Sequence, residues 1–427
     1  MANTALLTTA NFANPPTGAS KKGTWSFWVK RTDLGDNMLY STYENDNNRS
    51  YLKFDSDDRL NIVEIAGGQT NINIDVKRRF RDLSGWYHVV LAIDTTLATA
   101  GDRVKLYINN ELITDFDANT NNMSQNHSYH GLYGGIKQMI GNYAGGASSG
   151  EGFGGIMSYV AFVDGQQLTP STFGETDATT GEWKIKTNIT PGGTGWGTNG
   201  YLILKDGNSL TDESTNSNNF SVNTGTLTKS QDCPSNVFAT LNPLDKGSDV
   251  NTTINGNTGA TWNGVNGHTI RSTLAVSSGK YYWELNNANN LTVGIVSTEE
   301  PIIPTSGNLF PGGSGFGTGS YSYNLADGKK GNNNTFSSYG SAITTSDILG
   351  CALDLDNGKI FWSKNGVWQG SGDPANGTNP AFSSISSDKT WSPAYGYVGT
   401  GANTLNVNYG NGYFGTTAVS SAGTNAS

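Results

Sequence analysis

Asp115 and Asp117 flank Phe116, and two carboxylates on one face of a strand could serve glycoside hydrolysis. That reaction needs a proton donor and a base or nucleophile ~5 to 9 Å apart across the scissile bond. No Glu-x-Asp or Glu-x-Glu pair sits inside a convincing strand, so Asp115 and Asp117 are the best candidates. A solvated strand edge explains them more cheaply, and Glu284, next to Trp283, reads as structural. A Ser or Cys nucleophile would need a nearby imidazole. The four histidines are His88, His127, His130 and His268. His88 lies in an apolar run and reads as a packed residue. His127 and His130 share a loop with Tyr129, but no Cys or acidic residue stands at zinc-ligand spacing. The sequence therefore predicts no catalytic set and no enzyme.

Calcium is the one ion with candidates, at Asp55, Asp57 and Asp58 and at Glu44 and Asp46. Neither cluster supplies a full oxygen cage, and Asp in turns accounts for both, so no cofactor is expected. The Gly-rich runs at 145–155, 192–200 and 312–319 lack a following Lys-Ser/Thr or a helix to cradle phosphate. A formal net charge of -9 argues against nucleic acid or an anionic membrane as partner. The run Lys77, Arg78, Arg79, Arg81 reads as a solvated strand end. Loop aromatics remain, because sugars stack on them and protein partners anchor on them. Tyr143 and Phe153 bracket the longest loop of the first half, and Phe310 and Phe316 lie in a Gly-rich loop of the second. These four are the candidate ligand-binding residues. Trp362 and Trp368 read as core or hairpin stabilisers.

The elements that must position them are strands. With 56 Gly, 11% aromatic and 14% charged residues, the composition favours short strands and many tight turns. Trp25, Phe27 and Val29 alternate over Gly23 to Lys30 and predict one core face. Tyr51 to Asp55, Arg59 to Ile65, Trp86 to Asp94 and Arg103 to Ile108 follow, with Asn109-Asn110 at a two-residue turn. Thr169-Pro170 offers one helix start, which Gly174 ends within about a turn. In the second half, Asp356-Asn357-Gly358 and Lys364-Asn365-Gly366 predict a three-strand meander. Cys233 and Cys351 lie in different units, so no disulfide framework is expected. Met1 to Pro16 carries no basic and apolar leader pattern, and no apolar stretch is long enough to span a membrane.

The fold expectation is all-β: two antiparallel β-sandwich domains, over 1–175 and 246–417, joined by an ordered connector over 176–245 and followed by a flexible tail over 418–427. The connector is read as ordered because Trp183, Trp196, Tyr201, Phe220 and Phe238 need something to pack on.

Specific stretches also resemble known families. Gly23 to Lys30, Gly85-Trp-Tyr-His-Val-Val-Leu-Ala-Ile-Asp94, Val104 to Ile113 and Gly155 to Leu168 together resemble a laminin-G-like, concanavalin-type sandwich. Ser278 to Glu284, Val293-Gly-Ile295 and Leu349 to Gly366 are similar to SPRY domains. Between them, Phe173-Gly174, Gly197 to Tyr201, Asp212-Glu-Ser214, Asn218-Asn-Phe220 and Asp232 to Pro243 resemble segments of phage structural proteins, marine phages especially. Cys233 stands where that pattern usually has Thr, and Val237 where it has a polar residue. The resemblance implies a non-catalytic virion protein made and assembled in the host cytoplasm, most simply a tail fibre or appendage. Its implied partners are other virion proteins and a glycan or protein receptor on the host surface, and it implies a homo-oligomer with no membrane insertion. A capsid decoration protein and a polysaccharide depolymerase working through the first sandwich are the alternatives.

Overall fold

The structure is a computed structural model that describes residues 5–143, 151–205, 207–253, 256–264, 267–302, 309–399, 401–415 and 417–419. It divides into two compact units, Met1–Val237 and Phe238–Ser427.

The first unit encloses its core between two antiparallel sheets. One has eight strands in the order Phe116–Asn121, Gln69–Arg79, Arg59–Ala66, Asn48–Phe54, Asn37–Asn45, Met139–Ile140, Leu6–Thr9 and Phe220–Thr224. The other has six, ordered Tyr201–Ile203, Gly155–Asp164, Lys22–Arg31, Tyr87–Asp94, Val104–Ile108 and Glu111–Leu112. Trp25, Phe27 and Val29 point into the shared core together with Leu52, Phe54, Leu60, Ile62, Val89 and Leu91. Side chains alternate across a strand, so Ser26, Trp28 and Lys30 face the other way, yet they are buried as well. Asn109 and Asn110 both have left-handed φ (48° and 72°), which a primed hairpin turn requires. Thr169-Pro170 opens only a single 3-10 turn, Pro170–Thr172, with no side-chain cap.

The expected connector over 176–245 is divided between the units. Tyr201–Ile203 pairs with Gly155–Asp164, and Phe220–Thr224 with Leu6–Thr9, so both are sandwich strands. Their apolar residues drive this, since Tyr201, Ile203, Leu204 and Phe220 belong to the first core. Asp212 fastens them: its carboxylate accepts from the Leu202, Ser214 and Asn218 N–H groups at 2.9, 2.8 and 2.7 Å. Leu241–Lys246 lies in a sheet of the second unit.

The second unit also packs two sheets around one core. One runs Leu241–Lys246, Thr269–Ser272, Trp391–Tyr397, Leu291–Ser297, Ser320–Asn324, Lys329–Asn332 and Thr335–Ser338. The other runs Val250–Thr253, Gly259–Trp262, Asn403–Asn408, Lys280–Asn286, Leu349–Asp354, Lys359–Lys364 and Val367–Trp368. The last three are the expected meander. Asn365 and Gly366 form its primed turn, with φ of 50° and 80°. At the other turn only Gly358 is left-handed, while the Asn357 side chain bonds back to Asp354 at 2.9 Å. Of the expected flexible tail, Ala418 pairs with Tyr413, and 420–427 lie outside the described residues.

Candidate functional site

On the eight-stranded sheet, Leu52 and Phe54 point into the core, so Tyr51 and Lys53 point outward. Register places Tyr51 opposite Ser41 on one side and Val63 on the other, and Arg49 opposite Tyr43. Tyr143 completes the group: it meets Tyr43 edge-on at 5.2 Å and Tyr51 at 6.3 Å. All three rings are partly exposed. The position of Tyr143 is fixed from below. Ser41 Oγ donates to the Asn142 carbonyl at 2.9 Å, and the Phe153 N–H to the Gly141 carbonyl at 2.7 Å.

Positive charge at this face comes from Arg49, opposite Tyr43, and from Lys53, beside Tyr51. Lys53 Nζ lies 5.7 Å from the Tyr51 ring centre and holds Asp36 at 2.8 Å and Glu151 at 3.1 Å. Desolvation by neighbouring groups pushes the Tyr143 phenol up to about 12, so it stays a neutral donor across the physiological range. In the next strands, Asn61 donates to Asn73 at 3.1 Å and to Asp75 at 2.5 Å. Aromatic rings beside amides, carboxylates and an ammonium are the parts that hold a sugar, by stacking on its C–H face and hydrogen-bonding its hydroxyls.

The other loop aromatics are placed differently. Phe153 is fully buried in the first core and anchors the loop rather than lining it. Phe316 is buried with Val296, Ile302, Leu309 and Ala394, and Phe310 is buried beside Gly396. Apolar burial outweighs their loop positions, so of the four expected residues only Tyr143 stands on a surface. Part of each loop, 144–150 and 303–308, lies outside the described residues. Trp362 is core, while Trp368 stands partly exposed beside Tyr282.

Apart from Glu44, the carboxylate candidates are engaged by cations or by the backbone. Asp117 accepts from Arg59, and Asp115 lies 3.8 Å from Lys77. Asp55 accepts from the Asp57 and Arg59 N–H groups, both at 2.9 Å, and Asp57 pairs with Arg59 and Arg79. Asp58 is buried between Arg31 and Arg81, at 3.1 and 2.8 Å. Asp46 bonds Arg49 at 3.3 Å, and Glu44 lies 3.8 Å from His130. Among the described residues no group of three or more His, Cys, Asp and Glu is placed to hold a metal ion.

Two buried polar clusters were not legible as such in the sequence. His88 Nε2 lies 2.8 Å from Ser26 Oγ, the spacing of a nucleophile and its base. The Trp183 indole N–H, which can only donate, reaches His88 Nδ1 at 2.9 Å. Nδ1 therefore carries the lone pair, and the ring proton of the neutral form sits on Nε2, facing the hydroxyl it would have to deprotonate. Burial pushes the imidazole down to about 3, so it stays neutral. The pair is wired as a structural clasp. In the second cluster, Glu64 is fully buried and accepts from His127 Nε2 at 3.0 Å and the His130 N–H at 3.1 Å. It ties the loop carrying both histidines to the sheet. The signal was present in the strand, since Glu64 continues the inward alternation of Leu60 and Ile62.

The two sandwiches define a protein with a concanavalin-like domain and a SPRY domain. Residues 6–171 match the Concanavalin A-like lectin/glucanases superfamily and residues 280–412 match the SPRY domain. Over 99 residues the chain is 36% identical to the ATP-dependent RNA helicase DDX1 of Xenopus laevis, a stretch covering 23% of this chain and 12% of the helicase. The likeness lies in the SPRY region, and the chain spans only that small part of the helicase. The SPRY domain of human HERC1 is similar at 15% identity and a TM-score of 0.31, covering 39% of this chain and 96% of that one. A pentraxin from Limulus polyphemus is similar at 19% identity and a TM-score of 0.29, covering 39% and 71%.

Proposed function

We propose that this chain is a non-catalytic attachment protein that binds a glycan on the outer face of its eight-stranded sheet. The observation that carries the reading is the cluster of Tyr43 and Tyr51 around Tyr143, partly exposed and pinned at its base, with Lys53 beside Tyr51. The lectin-like family match of the first domain agrees with a sugar as ligand. The setting we propose is the virion of a bacteriophage, in a tail fibre or appendage that meets the host surface. It rests on the resemblance of the segments around Asp212 and Asp232, and the homo-oligomer expected of such an appendage belongs to the same proposal.

Binding of the full chain to arrayed oligosaccharides from bacterial envelopes tests the ligand. The expected result is retention of one glycan class, weakened about tenfold by Tyr51→Ala or Tyr143→Ala. Equal retention by the wild-type chain and both variants would overturn the site. Mass spectrometry of purified phage particles tests the setting, and absence of the chain would overturn it.

A further inference from the structure

The second unit carries another surface with the makings of a site. Register across four strands aligns Glu284, Gly350, Ser363 and Trp368 in one row on the outer side of the sheet, with Tyr282, Ala352 and Phe361 in the row beside it. The inner side holds Trp283, Leu285, Cys351 and Trp362. Small residues form the floor, and Tyr282 leans across it: a Cβ at Gly350 would run into the Tyr282 hydroxyl and Ser363 Oγ. Tyr282 donates to Glu284 Oε1 at 2.7 Å, so its ring is held in place although the residue is 51% exposed. Trp368 meets that ring nearly perpendicular, at 74° and 6.4 Å between centres. The two rings make the walls of a corner with a carboxylate at the phenol end.

Glu284 has no ion-pair partner among the described residues, whereas both aspartates of the neighbouring strand ends, Asp347 and Asp354, are paired with lysines. Two aromatic faces and an unpaired carboxylate attract a cation from both sides, the rings through their quadrupoles within about 6 Å and the carboxylate through its charge. Trp368 and the 68% exposed Val367 form the outermost strand of this sheet, where an extended polypeptide can run alongside. The net charge of -9 favours a basic partner.

We infer that the Tyr282–Trp368–Glu284 corner binds an arginine or lysine side chain of a partner polypeptide. The site is separate from the tyrosine face of the first unit, and neither depends on the other. The test titrates the full chain with the peptide Gly-Ser-Arg-Ser-Gly-Ser and its neutral citrulline counterpart, read by saturation-transfer NMR. Expected are binding of the arginine peptide, a fall of about tenfold for citrulline, and a similar fall for arginine in Glu284→Gln. Trp368→Ala should remove binding. Glu284→Gln conserves shape and keeps the test valid if the tryptophan variant fails to fold, which near-ultraviolet circular dichroism reports. Equal binding of the two peptides, or an unchanged Glu284→Gln, would overturn the inference. So would binding of tetramethylammonium through Glu284 without binding of the peptide.

Discussion

Lys30 Nζ donates to Asp232 Oδ2 at 2.7 Å with both side chains shut away from solvent, joining a strand near the start of the first unit to a turn near its end. The second oxygen of Asp232 accepts from the Trp86 indole at 3.1 Å. Asp232 opens the stretch Asp232 to Pro243, and its role here is to close the sandwich. A buried ion pair adds little net stability, but breaking one half strands a charge in a dry interior.

Asp232→Ala should therefore destabilise the first unit by about 3 to 5 kcal/mol, the usual cost of an uncompensated buried charge. Replacing both partners, Lys30→Met with Asp232→Leu, should cost much less than Asp232→Ala alone. Urea unfolding followed by tryptophan fluorescence measures both.

His88 gives the first unit a pH dependence of known sign. Its folded value, near 3, lies below the ordinary histidine range, so the unfolded chain takes up the proton first. The stabilisation is complete above about pH 6.5 and is lost as pH falls toward 3, by about 1.4 kcal/mol per pH unit. Burial depresses His130 in the same direction. Between pH 6.5 and 4.5 the midpoint of urea unfolding should fall, and His88→Gln should flatten part of that slope.

Gly294, in the Val293-Gly-Ile295 stretch, has no room for a side chain, because a Cβ there would overlap the Tyr321 backbone carbonyl across the strand pair. Gly294→Ala should destabilise the second unit by about 3 kcal/mol, at the upper end of overpacking costs, since backbone must move rather than a side chain. Differential scanning calorimetry should show the transition of the second unit lowered and that of the first unchanged.

Tyr51→Ala and Tyr143→Ala should separate binding from folding. Both rings stand outside the core cluster, so each variant should unfold within about 1 kcal/mol of wild type. Phe153→Ala, from the same loop as Tyr143, should instead cost about 3 to 5 kcal/mol because its ring is fully buried. Thermal melts of the three variants, set beside glycan retention, distinguish platform from anchor.

Much of the fold was legible because its signals are local. Alternation over Trp25, Phe27 and Val29 marked a core face, and Asn109-Asn110 and Asn365-Gly366 marked turns that need left-handed backbone. The reverse face of Lys22–Arg31 was not legible, because Trp183 and Asp232, which cover it, lie far along the chain. The site was legible in part. Outward alternation beside Leu52 and Phe54 could have singled out Tyr51, but its meeting with Tyr143 joins residues roughly ninety positions apart.

The sequence by itself determined many of the strands and the tight turns, since these follow from side-chain period and backbone sterics within a few residues, and its length and composition set the all-β, two-sandwich class. Only the tertiary structure decided which aromatics face solvent, which carboxylates are already engaged, and which way the proton on His88 points. Those properties depend on neighbours brought together across the chain, and burial is set by the whole sandwich rather than by any one strand.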